Sequence, residues 1–210
     1  MPKTSHRSLP EESLASYQSL QTGNNCGLYA LSAAIRLLCN LDLSPAWLIE
    51  ETNRLWWRGR FFRIFPDWAI TPHQLAHLTN YLAAQKKLPI KASVWHLSRQ
   101  ILRNLLADPN LACLITLYWC KGKSPAIYHW NSPININTHN EMSAHTMLAA
   151  AYDPSHYNTQ ISTPWGFINS WIEQSQGLFW MSEKDFEHSW GFSLPVLANH
   201  ATVLISRTED

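Results

Sequence analysis

An α+β fold, with helices first and a mostly antiparallel sheet second, is what this 210-residue sequence predicts. Three observations carry the prediction. Residues 26–38 bear Leu28, Leu31, Ala34, Ile35 and Leu38 at helical spacing. Ser44-Pro45 and Thr71-Pro72 each pair a capping residue with a proline suited to a first helical turn. From residue 89 onward the helical period gives way to short apolar runs bounded by turn residues.

Residues 1–20 read as a polar N-terminal arm, and residues 21–210 as a single domain. The helix from Cys26 can be capped by Asn24 or Asn25. A second helix starts at Ser44-Pro45, and a third runs from Thr71-Pro72 to about Lys87. Between them "RLWWRGRFFRIFPDW", residues 54–68, mixes Arg with aromatics without a clear period and reads as a groove-lining loop. "PIKASVWHL" is then a strand, "SRQILRNLLAD" a helix and "LACLITLYW" a buried strand. A long polar loop follows, "CKGKSPAIYHWNSPININTHNEMS". Next come a strand "HTMLAAAY", a turn at Asp153-Pro154, and strands "WGFINSW" and "GLFWMS". A short helix "EKDFEHSW" after Ser182 and a strand "ATVLIS" complete the chain.

Composition narrows the function classes. An apolar share of 46% against 15% charged residues predicts a folded domain rather than a disordered one. The net charge of +1, with no basic stripe, gives no footprint for nucleic acid. The cysteines, at 26, 39, 113 and 120, form no CxxC pair, so neither a zinc pattern nor a dense disulfide framework is indicated. No run is long and apolar enough for a signal peptide or a membrane span. The expected setting is therefore the reducing cytoplasm, with export lacking a cleaved signal left open. The 11 Trp are read chiefly as core and groove wall.

Cys26 stands apart from the other thiols. It lies where the polar run "QTGNN" meets the first turn of a helix, whose free N–H groups favour a thiolate. Cys39 ends a helix, Cys113 lies inside an apolar strand and Cys120 ends that strand. A thiol nucleophile needs an imidazole partner. Of ten histidines, His145 opens an apolar strand directly after a polar loop, where it can face a cleft as ion-pair partner and then general acid. Asn169, in "GFINSW", lies among apolar neighbours on an expected strand, so its buried amide needs partners. Its carbonyl can hold one imidazole nitrogen and aim the other at sulfur, with Trp171 shielding the bond. Asp153 is read as a turn former and His139 as an alternative base in a loop. His129, His139 and His145 lack a metal-ligand pattern, and no metal or cofactor is expected.

The pieces "NNCGLYAL", "AHTMLAAAYD" and "GFINSWIEQSQGLFWMSEKDF", in the order Cys, His, Asn, resemble the papain-like cysteine peptidase superfamily. The nearest flavour is the bacterial group similar to bacteriocin leader peptidases (C39-like). The resemblance spans roughly residues 18–190. It implies a papain-like fold in which N-terminal helices carry the nucleophile Cys26 and a sheet carries the acid/base His145 and the orienting Asn169. It also implies an upstream Gln as oxyanion donor. Gln21 is assigned that part, although it lies five rather than six residues before the thiol, with Asn24 or Asn25 as substitutes. The activity implied is hydrolysis of a peptide or isopeptide bond in a protein or peptide substrate, in a bacterial processing enzyme or a delivered effector. Glutamine deamidation, acyl transfer, or binding without catalysis would suit the same scaffold. Departures from the pattern are Leu28 after Gly27, and Ile172 where a Gly follows "NSW".

Overall fold

Thr71 begins a helix because its hydroxyl accepts from the Gln74 N–H while the Gln74 side chain accepts from the Thr71 N–H, a reciprocal capping box. In the computed structural model this helix, α4, spans Pro72–Lys86. The structure describes residues 4–5, 9–55, 70–130, 132–158, 160–171, 177–192 and 200–208. Among the described residues three helices precede α4, the first of them the short α1, Glu11–Ala15. α2 covers Cys26–Cys39 and α3 covers Pro45–Leu55, the latter with the Ser44 hydroxyl accepting from the Trp47 N–H at 3.2 Å. Leu28, Leu31 and Ile35 of α2 are fully buried, each stabilising the fold by about 1.5–3 kcal/mol.

The second half builds the sheet. β2 is Ile90–His96, β3 Leu111–Trp119, β4 Tyr128–His129, β5 Ser143–Tyr152, β8 Trp165–Ile168, β9 Phe179–Met181 and β10 Ala201–Arg207. They lie in the order β2-β10-β3-β5-β8-β9-β4, antiparallel at each junction. A two-residue strand β1, Thr4–Ser5, pairs with the far end of β5, and β6 (Tyr157–Asn158) with β7 (Ile161–Ser162) forms a separate ribbon. The helices α5, Arg99–Leu105, and α6, Glu183–Trp190, are capped by the Ser98 and Ser182 hydroxyls. Alternate residues of β3 and β5 serve two cores. Leu114, Leu148 and Ala150 pack with α2, whereas Ile115, Leu117 and Met147 join Phe167, Phe179, Phe186 and Trp190. Both faces of the central strands are thereby covered, which is why "LACLITLYW" is apolar at nearly every position.

Three expectations change. The N-terminal arm is part of the fold over residues 9–20. Leu14 and Ala15 of helix α1, Glu11–Ala15, are buried in the core, and the Glu11 carboxylate accepts from the Leu178 N–H (2.8 Å) and Trp180 Nε1 (3.2 Å). β8 ends at Ile168, so Asn169 follows the strand rather than lying within it. Asn25 occupies the N-terminal cap of α2 but caps nothing with its side chain, because its amide turns back to the Thr22 carbonyl at 2.7 Å. The aromatic stretch 54–68 lies outside the described residues from 56 onward.

Candidate active site

The helix α2 brings Cys26 against the start of β5. The Thr146 N–H, one residue after His145, donates to Cys26 Sγ at 3.3 Å. Three further groups favour the anion: the Thr146 hydroxyl and the N–H groups of Gly27 and of Cys26 itself. The last two belong to the uncapped first turn of α2, where unpaired donors gather. Gly27 has no side chain to spare there, since a Cβ would sit 2.6 Å from Ile70 Cγ2.

The imidazole of His145 is fixed from two sides. Nε2 lies 2.7 Å from Asn169 Oδ1, and the ring stacks on Trp171 with centroids 4.1 Å apart at 28°. An amide oxygen only accepts, so Nε2 carries the proton and Nδ1 is left as the basic nitrogen. His145 and Asn169 are each only 2% exposed. Among the described residues the thiol is hydrogen-bonded to Thr146 and its own helix turn, not to the imidazole.

Burial sets the protonation states, and here the structure departs from the ion pair expected from the sequence. Burial pushes the Cys26 thiol above its ordinary range, outweighing the four donors around it. Burial likewise pushes the His145 imidazole down to about 4, against the raising effect of Asn169, and His139 adds a further lowering. Both shifts favour the uncharged forms, because a charge without water is expensive. The resting pair is therefore neutral thiol and neutral imidazole. Tyr118 nearby is pushed up to about 12, by burial and by Cys26.

Two cavities meet at Ser143 and Ala144. One, of about 260 Å³, is mostly apolar and includes Cys26, Ile70, Tyr118, Trp119 and Phe192. The other, of about 340 Å³, is more polar and includes Gln21, Asn24, His139, His145 and Trp171. Gln21 thus lines the cavity that holds the imidazole. Its Nε2 donates to the Gly23 carbonyl at 3.1 Å, and its Oε1 accepts from the Ser170 hydroxyl at 2.6 Å. Gly23, at φ 64°, takes the left-handed turn that folds the loop back on itself. Asn25 is buried, with Oδ1 lacking a partner among the described residues.

The alternatives separate clearly. Asp153 Oδ1 accepts from the Ser155 N–H and hydroxyl, forming the turn expected of it. His139 is better fixed than its loop position suggests. Its N–H donates to Asn137 Oδ1, its carbonyl accepts from Trp119 Nε1, and its ring lies 5.5 Å from Trp171. Among the described residues no group of His, Cys, Asp and Glu gathers as metal ligands. No two of the four cysteines are joined in a disulfide. Sequence reasoning missed Thr146, whose only signal is adjacency to His145. It also passed over Gln18, a buried glutamine whose Oε1 accepts from the Asn169 N–H.

No family model matches the sequence, and no curated protein matches it. Solved structures do match in fold. A crystal structure assigned as a C39-like peptidase, from Bacillus anthracis, aligns with TM-score 0.57 at 10% identity, covering 100% of both chains. Xylellain, a cysteine protease from Xylella fastidiosa, aligns with TM-score 0.51 at 14% identity over 98% of this chain and 92% of its own. The chain therefore has a papain-like, C39-like fold. Among the described residues no helix is long and apolar enough to cross a membrane.

Proposed function

We propose that this chain is a cysteine hydrolase that cleaves a peptide or isopeptide bond through Cys26, His145 and Asn169. The observation that carries the reading is the 2.7 Å bond from the His145 imidazole to Asn169, next to a thiol seated on the N–H of Thr146. A papain-like fold supports it. So does the free first turn of α2 under the sulfur.

The neutral resting pair dictates the order of events. As Sγ bonds to the substrate carbonyl carbon, its proton passes to His145 Nδ1, so imidazolium exists only once substrate is engaged. The thiol leaves Thr146 for the imidazole at that moment; such contacts commonly tighten only in the substrate complex. Nε2–H stays donated to Asn169 Oδ1, which stabilises the cation. The oxyanion accepts from the Cys26 N–H, with the Gln21 amide turning from Gly23 as second donor. Nδ1–H then protonates the leaving amine as the C–N bond breaks, giving a thioester. Water, losing a proton to Nδ1, attacks the thioester and releases the acid and the thiol. The partner is a protein or peptide, no cofactor enters, and reduced thiols suit a cytoplasm, that of the producing cell or of a recipient one.

The test is incubation of candidate proteins with the chain and with Cys26→Ala, followed by peptide mass mapping. A backbone or isopeptide cut that requires Cys26 is expected. Conversion of Gln to Glu, or a new amide adduct, would instead assign deamidation or acyl transfer. No Cys26-dependent product from substrates cut by other papain-like peptidases would contradict the proposal.

A further inference from the structure

Asn169 can hold His145 only if something holds Asn169. Its side chain does not do so alone. Oδ1 is committed to the imidazole, and Nδ2, buried, has no hydrogen-bond partner among the described residues. Asn169 also lies just past the end of β8, beyond the ladder that ties Ile168 to Leu148. Its backbone N–H finds its acceptor in a side chain from the other end of the sequence, Gln18 Oε1, at 3.1 Å.

Gln18 is itself 8% exposed and bound on its other side. Its Nε2 donates to the Gly177 carbonyl at 3.0 Å and to the Ala15 carbonyl at 3.3 Å. One amide thus links the end of α1, the residue after β8 and Gly177, two residues before β9. Gly177 is tightly enclosed, since a Cβ there would meet Trp130 Cβ at 2.6 Å and Cδ1 at 2.7 Å, so it is a firm anchor. An amide that donates on one side and accepts on the other is the group needed to bridge a carbonyl and an N–H. We infer that Gln18 is a positioning residue for the proposed reaction, setting the imidazole of His145 by fixing the backbone of Asn169. The inference rests on the reading of Cys26, His145 and Asn169 given above.

The consequence is specific. Loss of Gln18 should loosen the Asn169–His145 bond without dismantling the sheet, because the neighbouring ties between the same segments remain. Gln21 N–H still donates to the Ser170 carbonyl, and Glu11 still accepts from Leu178 and Trp180. A small displacement of a positioned group costs reactions heavily, by on the order of a hundredfold for a misplacement near 1 Å.

The experiment compares the unaltered chain with Gln18→Met, which fills the volume without any of the three bonds, and Gln18→Glu, which keeps the oxygen acceptor. Glu11→Ala serves as control, loosening the same segment at its other end. Two readouts are taken: the exchange-protected imidazole N–H proton by NMR, and the iodoacetamide reaction rate of Cys26 by mass mapping. Circular dichroism reports the fold. Gln18→Met is expected to stay folded, to lose the protected N–H signal and to slow Cys26 at least tenfold. Gln18→Glu should retain part of both, and Glu11→Ala all of both while melting lower. An unchanged N–H signal in Gln18→Met, or an equal loss in Glu11→Ala, would overturn the inference. If Cys26 of the unaltered chain reacts no faster than Cys39 or Cys120, the functional reading fails. The N–H signal still decides whether Gln18 sets the ring.

Discussion

Acid should destabilise this protein through one buried ring. His145 titrates at about 4 in the folded chain, mainly because burial excludes the charge, against an ordinary 6.5 when unfolded. Between those values the unfolded chain holds a proton that the native chain does not. Stability is therefore complete above about 6.5 and falls as pH drops toward 4. The gap is roughly 2.5 units at 1.36 kcal/mol each, so about 3 kcal/mol is lost across the window. That is a large part of a typical domain stability of about 5–15 kcal/mol. The perturbation is His145→Gln, which keeps an amide donor for Asn169 Oδ1 and cannot take up a proton. Urea unfolding, followed by Trp fluorescence at steps from neutral pH to 4, gives the free energy for each protein. Carboxylates such as Glu51, lowered by Arg54, also lose stability in acid but contribute equally to both chains. The difference between the two curves should close by about 3 kcal/mol as pH falls. Parallel curves would refute a buried neutral His145, and with it the neutral resting pair.

Other outcomes follow from the same contacts. Asn169→Ala should cost about 1–3 kcal/mol of stability, by leaving Nε2–H buried without its acceptor, and should slow turnover by more than tenfold; thermal melts and rate assays read the two separately. Thr146→Val removes the hydroxyl beside the thiol and leaves its partner, the Thr116 hydroxyl at 3.0 Å, unpaired. A loss of about 1–3 kcal/mol and a slower Cys26 alkylation are expected, and a stabilised variant would contradict the contact. Gly177→Ala should destabilise by about 1–3 kcal/mol through its collision with Trp130, measured by urea midpoint.

The elements that sequence made legible are those whose causes are local. Thr71-Pro72 with Gln74, Ser98 and Ser182 are capping chemistry within a few residues, and each helix starts where its cap stands. β3 and β5 announce themselves by unbroken apolar runs. The short strands β4, β6 and β7 carry no such run and exist because a partner lies alongside. The burial of α1 was hidden for a similar reason: Leu14 and Ala15 are sparse apolar residues in a polar stretch, and Glu11 is held by groups more than 160 positions away. At the candidate site, residue types and order pointed to Cys26, His145 and Asn169, and the structure pairs the latter two. The bond from Gln18 to Asn169 spans 151 positions and leaves no spacing to read. The neutral state of thiol and ring was equally illegible, because it depends on how much water the fold excludes.

The most direct measurement of the central claim is mass-mapped labelling with iodoacetamide near neutral pH, run on the unaltered chain and on His145→Ala. The account predicts that Cys26, a neutral thiol at rest, still outpaces Cys39, Cys113 and Cys120, because His145 Nδ1 takes its proton as sulfur attacks the reagent, and that removing the imidazole abolishes its lead while the fold persists. Equal, slow labelling of all four thiols, or a lead for Cys26 that survives without His145, would contradict it.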